Sequence, residues 1–484
     1  MDWVWLTFYL AAIVVFGTAG AMLSGENEKP QFSHKLGLVV VFGTGSLGYG
    51  LFLLALFGVR PTRWPFAVLS LVAVMVAGAH LIRRGKASLR GVRIEPLHVA
   101  WSHVGSAALL ILLVVFHSIV LVHALAFPLY EWDAFAIWGL KAKVIAAEGI
   151  VPQPTYFTDV SLSYSHLDYP LMVPFLIAGV YGVLGRVDDQ IAKLALPLLY
   201  LGLACLVFTF SKRRLPTSMA LAVAVVVMGS PVMLRWAGSG NADVPMTAFY
   251  TTSVVCLSEW GEDSKWCSCV LCGVMSAFAA FTKNEGLVLG VFNCAIMFLL
   301  PIRSVHWKRR LAGAGLCTAV FLLLVFPWFV WSNGIPHTHE NYLAHLRFSE
   351  IAKNASRIPI ILAEFARQIV SLSRYGLLWL ILIVSAMVGW RAFRSRTTVV
   401  VWSLLLLQLG VYALIFLVTP WDVHVQLRVA LDRLLLHAVP LGGLLLALHL
   451  SFVRQSNGDS NNRVELDVIP LSHHAAHPSV GDKA

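Results

Sequence analysis

Apolar runs recur along this chain at 3–22, 36–58, 64–82, 99–127, 190–211, 215–234, 246–260, 266–283, 285–302, 311–332, 372–390, 397–418 and 429–453. A membrane-crossing helix needs about 20 mainly apolar residues, so the pattern predicts an all-α polytopic membrane protein with about thirteen spans. Two long connections interrupt the rhythm, 128–189 and 333–371. From Arg454 onward apolar periodicity stops, and Ser, Asn, Asp and His predict a disordered cytoplasmic tail over 454–484.

The clustering of charge orients these spans. Arg83, Arg84, Lys86, Arg90 and Arg93 follow the third run, and basic loops stay on the cytoplasmic side. The fourth run then exits, placing the loop after it outside. One further apolar stretch, Tyr169 to Leu184, decides the remainder. If it crosses, Lys212-Arg213-Arg214, Arg303, Lys308, Arg309, Arg310 and the Arg391/Arg394/Arg396 group all fall outside. If it lies along the outer surface or re-enters, every one of those clusters is cytoplasmic. The second arrangement is predicted, with the tail inside.

Composition narrows the class. Of 484 residues 58% are hydrophobic and only 13% charged, and mean hydropathy is +0.76. A large soluble core is excluded. The net charge of +11 sits in short clusters between apolar runs, which points to anionic membrane lipids rather than nucleic acid. Seven cysteines fall mostly within or beside apolar runs and read as small buried hydrophobes. The first run follows Asp2 and lacks a cleavage site, so it reads as a retained span.

The unusual polar residues gather in the outer loops. The first reads Tyr130-Glu131-Trp132-Asp133-Ala134-Phe135-Ala136-Ile137-Trp138-Gly139-Leu140-Lys141-Ala142-Lys143, a pattern that predicts a helix lying in the membrane interface. It continues to His166, Asp168 and Tyr169. In the second loop Asp243 stands where the next helix begins, and an N-cap is its plain structural role. Lys283-Asn284-Glu285-Gly286 joins two apolar runs with almost no loop, and a Lys beside a Glu at that depth must be paired or used. Asp422-Val423-His424, Arg428 and Asp432-Arg433 precede or open the last run. Arginines there suit a phosphate, which they grip as a fork, or else snorkel to the interface.

In order along the chain, Asp133, Tyr169-Pro170-Leu171, Asn241-Ala242-Asp243-Val244-Pro245, Thr282-Lys283-Asn284-Glu285-Gly286 and Leu431-Asp432-Arg433-Leu434-Leu435 resemble the motifs of GT-C glycosyltransferases. The branch is that of bacterial proteins similar to protein O-mannosyltransferases and the lipid A aminoarabinose transferase. The resemblance covers roughly 99–453 as a catalytic membrane module. Residues 1–98 are then three additional helices and a basic cytoplasmic loop.

The resemblance implies a polyprenyl-phosphate-linked sugar donor, a glycan, lipid or protein acceptor, and a site on the outer face of the cytoplasmic (inner) membrane. It makes Asp133 the general base toward an acceptor hydroxyl. Asp243 either orients the acceptor or supports a divalent metal. Lys283, Arg428 and Arg433 become the donor-phosphate contacts. Glu131, His166, Tyr169, Glu285 and His424 are further site candidates. Relatives with two acids in the second loop differ from this chain, which has Asp243 alone, so the resemblance does not require a metal. A transporter or flippase would need polar residues along a path; a polymerase or ligase of lipid-linked surface glycans would use the same donors.

Overall fold

The computed structural model describes residues 2–23, 32–84, 104–299, 307–336 and 342–466. Among them every regular element is helical. Each predicted run falls on a helix or on a broken pair of helices. By length and apolar composition six of the described helices can cross a membrane, or eight if each bent pair is one span. Thirteen is not reached on that measure, because several runs form helices of only 10–17 residues. At about 1.5 Å per residue these reach about 15–26 Å, short of a hydrocarbon core of about 30 Å.

The breaks have local causes. The run at 215–234 divides into Thr217–Met228 and Pro231–Ala237, bent by 64°. Pro231 lacks an N–H, and Ser230 before it is extended, as residues preceding proline prefer. The run at 372–390 divides at Gly376, whose φ of +58° suits a residue without a Cβ. The final run bends by 46° between Val423–Leu436 and the helix that begins at Val439. That last helix extends through Leu466, into the predicted tail; residues 467–484 lie outside those described, as do Lys86, Arg90, Arg93 and Arg303 of the basic loops.

Two expectations about the first large loop need correction. Met172–Leu184, expected not to cross but to lie along the outer surface or re-enter, is only thirteen residues long, about 20 Å, too short to span. It does not lie along a surface, since nearly all its residues are buried. A helix apolar on every face is stable only when surrounded. The predicted interfacial helix is present as a π-helical turn, Ala134–Gly139, leading into Leu140–Glu148. Its residues Ala134, Ile137, Trp138, Lys141 and Ala142 are buried, so it packs into the protein, with Phe135, Ala147 and Glu148 left exposed.

The basic residues of 212–214 and 308–310 meet at one end of the bundle. Arg213 pairs with Glu259 and Arg214 with Glu262, while Arg309 donates to the Ser264 carbonyl at 2.8 Å. Asp243 stands at the opposite end of the same helix, Asp243–Asp263, about 30 Å away at helical rise.

The leading helices are knitted into the rest. Asp2–Leu23 and Phe32–Leu56 touch so closely that a Cβ on Gly17 would sit 1.8 Å from the Val39 carbonyl oxygen. The Tyr9 hydroxyl donates to the Leu176 carbonyl at 3.1 Å and that of Tyr49 to Leu324 at 2.6 Å. Phe52 packs on Phe281 with ring centres 4.7 Å apart.

Candidate active site

Asp422 starts the Val423–Leu436 helix by accepting the Val425 N–H at 3.0 Å. On that helix Gln426, Val429, Ala430, Arg433 and Leu434 share one face and line a cavity of about 660 Å³. His424 and Arg428 are exposed and do not line the cavity. Those two sequence candidates are therefore not brought to the site.

Arg433 is its centre. Its Nη1 donates to Asp133 Oδ2 at 2.5 Å, while Nε and Nη2 both donate to Asp243 Oδ2, at 3.0 and 2.8 Å. The guanidinium lies over Trp236, 5.2 Å from the ring centre, within cation–π range. Neighbouring Asp432 and Asp422 leave it alone. Asp432 accepts the Arg433 backbone N–H and faces Arg374 at 3.8 Å.

Asp243 has no exposed surface. The N-cap role is overturned: Ala242 occupies that position, without a side-chain cap bond. The Asp243 carboxylate serves side chains instead. Oδ1 accepts from Lys283 Nζ at 2.9 Å and meets His437 Nε2 at 3.1 Å. With the two Arg433 bonds on Oδ2, about four lone-pair positions are taken. Burial alone would raise its pKa, but the Arg433 and Lys283 charges outweigh it and hold the carboxyl well below the usual range. A divalent metal does not fit at this saturated carboxylate, and among the described residues no group of three or more His, Cys, Asp or Glu could hold one.

Lys283 sits in the tight turn between Trp266–Ala280 and Asn284–Leu299. It pairs with Asp243 and with Glu285 Oε1, each at 2.9 Å, which meets the pairing requirement of a buried ammonium. The turn is tied to the first large loop, since the Met172 N–H donates to the Phe281 carbonyl at 3.0 Å.

Glu131, Asp133, His166, Asp168, Tyr169, Lys283, Glu285 and Arg433 all line the cavity, with Trp132, Trp138, Trp236 and Phe416 among the aromatic walls. His166 takes a left-handed backbone conformation, φ +49°, and stacks on Tyr169 with ring centres 4.5 Å apart. Burial, then the nearby Lys141, lowers its pKa. Lys141 explains how this loop is held. Its buried amine donates to the Ser165 and His166 carbonyls at 2.6 and 2.7 Å. A neutral amine still has two N–H groups for those two acceptors.

Burial lowers the Lys141 pKa to about 7, whereas an unfolded chain keeps the ordinary value of about 10.4. Between these limits the unfolded state binds the extra proton, so this residue makes stability rise with pH from about 7 upward and level off near about 10.4. Melting curves of wild type and Lys141→Met across that window should diverge in slope, with the wild type steeper. Parallel slopes would mean that Lys141 does not titrate in this way.

The sequence reading does not single out Lys141, Trp236, His437, Tyr412 or Gln408 as site residues. His437 lies one helical turn beyond Arg433, the only local signal for it. Tyr412 and Gln408 sit in an apolar run with nothing to mark them.

The family model described as dolichyl-phosphate-mannose-protein mannosyltransferase matches residues 168–331, about a third of the chain. The match includes Tyr169, Asp243, Lys283 and Glu285, and it supports a GT-C glycosyltransferase. No curated protein and no solved structure matches the chain.

Proposed function

We propose, with that glycosyltransferase match as premise, that the protein moves a sugar from a polyprenyl-phosphate donor to an acceptor hydroxyl on the outer face of the cytoplasmic membrane. The observation that carries this reading is the contact of Asp133 with Arg433 at 2.5 Å inside the cavity. It joins a carboxylate suited to take a proton and a fork suited to a phosphate. The cavity volume, about 660 Å³, is within the range of small-molecule sites.

Asp133 accepts the proton as the acceptor oxygen attacks the anomeric carbon. The bond from that carbon to the phosphate oxygen breaks, and its electron pair stays on the phosphate. Arg433 and Lys283 stabilise this charge. A single displacement inverts the anomeric configuration. Asp243 acts through the two cations it holds.

The test is incubation of purified protein in lipid nanodiscs with labelled polyprenyl-phosphate sugars. Enzyme-dependent loss of sugar from at least one donor is expected; retention on every donor would sink the proposal. Sidedness is read separately, with single cysteines in a background lacking native ones. A cysteine at Ser161 should react with an impermeant reagent from outside and one at Ser395 should not. The reverse result would put the site on the cytoplasmic face.

A further inference from the structure

Behind Asp243 a row of polar groups runs through otherwise apolar packing. Gln408 and Tyr412 stand one turn apart on the Arg396–Val418 helix, and His437 stands at the bend of the last span. The Gln408 amide donates to the Tyr412 hydroxyl at 3.0 Å. That hydroxyl meets His437 Nδ1 at 2.9 Å, and His437 Nε2 meets Asp243 Oδ1 at 3.1 Å. Gln408 and His437 are wholly buried, and Tyr412 almost so.

The row has one direction. An amide nitrogen only donates, so the Tyr412 oxygen accepts from Gln408 and offers its own proton to His437 Nδ1. An imidazole that accepts at Nδ1 carries its proton on Nε2 and donates it to Asp243, a carboxylate held ionised by its cations. Each bond fixes the next, and in low dielectric such chains strengthen one another. Asp243 then has one orientation, with Oδ2 turned to both nitrogens of the Arg433 fork and Oδ1 shared with Lys283.

We propose that His437 is a positioning residue: oriented by Tyr412 and Gln408, it fixes Asp243, and through Asp243 it sets Arg433 and Lys283 at the spacing that grips the donor phosphate. This role rests on the function proposed above. It assigns Asp243 to holding cations rather than to contact with acceptor or metal, and it gives a purpose to three buried polar residues that do not line the cavity.

The test uses full-length protein in nanodiscs and polyprenyl phosphate without sugar as the probe, alongside melting temperature. His437→Ala is expected to weaken probe binding roughly tenfold, the scale of one hydrogen bond to a charged group. His437→Gln, which can still donate to Asp243, should recover most of the affinity. Tyr412→Phe should weaken binding by a smaller factor in the wild type and by nothing further in His437→Ala, since the row is already cut. Effects that multiply in the double variant would overturn the proposal. So would a folded His437→Ala that binds as wild type does, or one whose Gln counterpart is no better. If His437→Ala fails to fold, Tyr412→Phe against His437→Gln carries the same comparison. Wild-type protein that does not bind the probe would remove the proposed function, and this role with it; wild-type binding with unaffected variants would remove the role alone.

Discussion

Asp133→Asn is expected to lower sugar transfer by about a hundred- to ten-thousandfold, the usual cost of losing a general base, while leaving the protein able to hold its donor. The amide keeps the size of the carboxylate and can still accept from Arg433, but it cannot take a proton from the acceptor. Affinity for polyprenyl phosphate should be preserved or should rise. Asp133 occupies Nη1 of Arg433, so it competes with any incoming phosphate for that prong. Weakening the competitor favours the phosphate. Single-turnover transfer and equilibrium binding, measured on the same preparation, separate the two effects. Near-normal turnover would take Asp133 out of catalysis. A fall in affinity matching the fall in rate would make it a holder of Arg433 instead.

For Arg433→Lys we expect donor affinity to drop by roughly ten- to over a hundredfold, from the loss of charge-assisted contacts worth about 1.5–3 kcal/mol. The charge is conserved but the geometry is not. Three guanidinium N–H groups now reach two carboxylates in different directions, and one ammonium cannot reproduce that span. Arg433→Ala should be worse and less stable. It leaves the buried Asp243 with Lys283 as its remaining cationic partner, and breaking a buried ion pair costs about 3–5 kcal/mol. The measurements are binding of sugar-free polyprenyl phosphate and melting temperature. Arg428→Ala, altering an exposed side chain that does not line the cavity, is the control and should bind normally. Lowered stability with unchanged affinity in Arg433→Lys would assign the residue to structure and leave Lys283 as the phosphate contact.

Much of this site is legible in the sequence. Asp133, Asp243, Lys283, Glu285 and Arg433 stand out because a charged residue beside an apolar run needs a reason, and their order along the chain supplied one. What sequence order does not carry is the identity of partners. Arg433 has two acids nearby in sequence, Asp422 and Asp432, yet its side chain bonds to acids 300 and 190 positions away. Arg428 looks equivalent to Arg433 in a string and differs only by the face of its helix. Lys141 reads as the polar edge of an interfacial helix because its two carbonyl acceptors lie in a loop 24 and 25 residues further on. Helices stand wherever apolar runs are long, though several are shorter than a membrane crossing. Their breaks at Pro231 and Gly376 were blurred because the mean over a window hides one residue that cannot continue a helix.

The placement of Lys283 has a consequence for where the working unit ends. Phe281, two positions before it, rests on Phe52 and Tyr49 of the second helix, and Met172, bonded to the Phe281 carbonyl, starts a helix walled in by Tyr9 and Phe66. A Cβ on Gly182 of that helix would stand 1.4 Å from the Pro61 carbonyl oxygen, so the seam leaves no slack. The leading helices are thus a foundation under Lys283 rather than an appendage. A fragment trimmed to residues 99–453 would keep every charged residue of the cavity and lose the floor on which one of them stands.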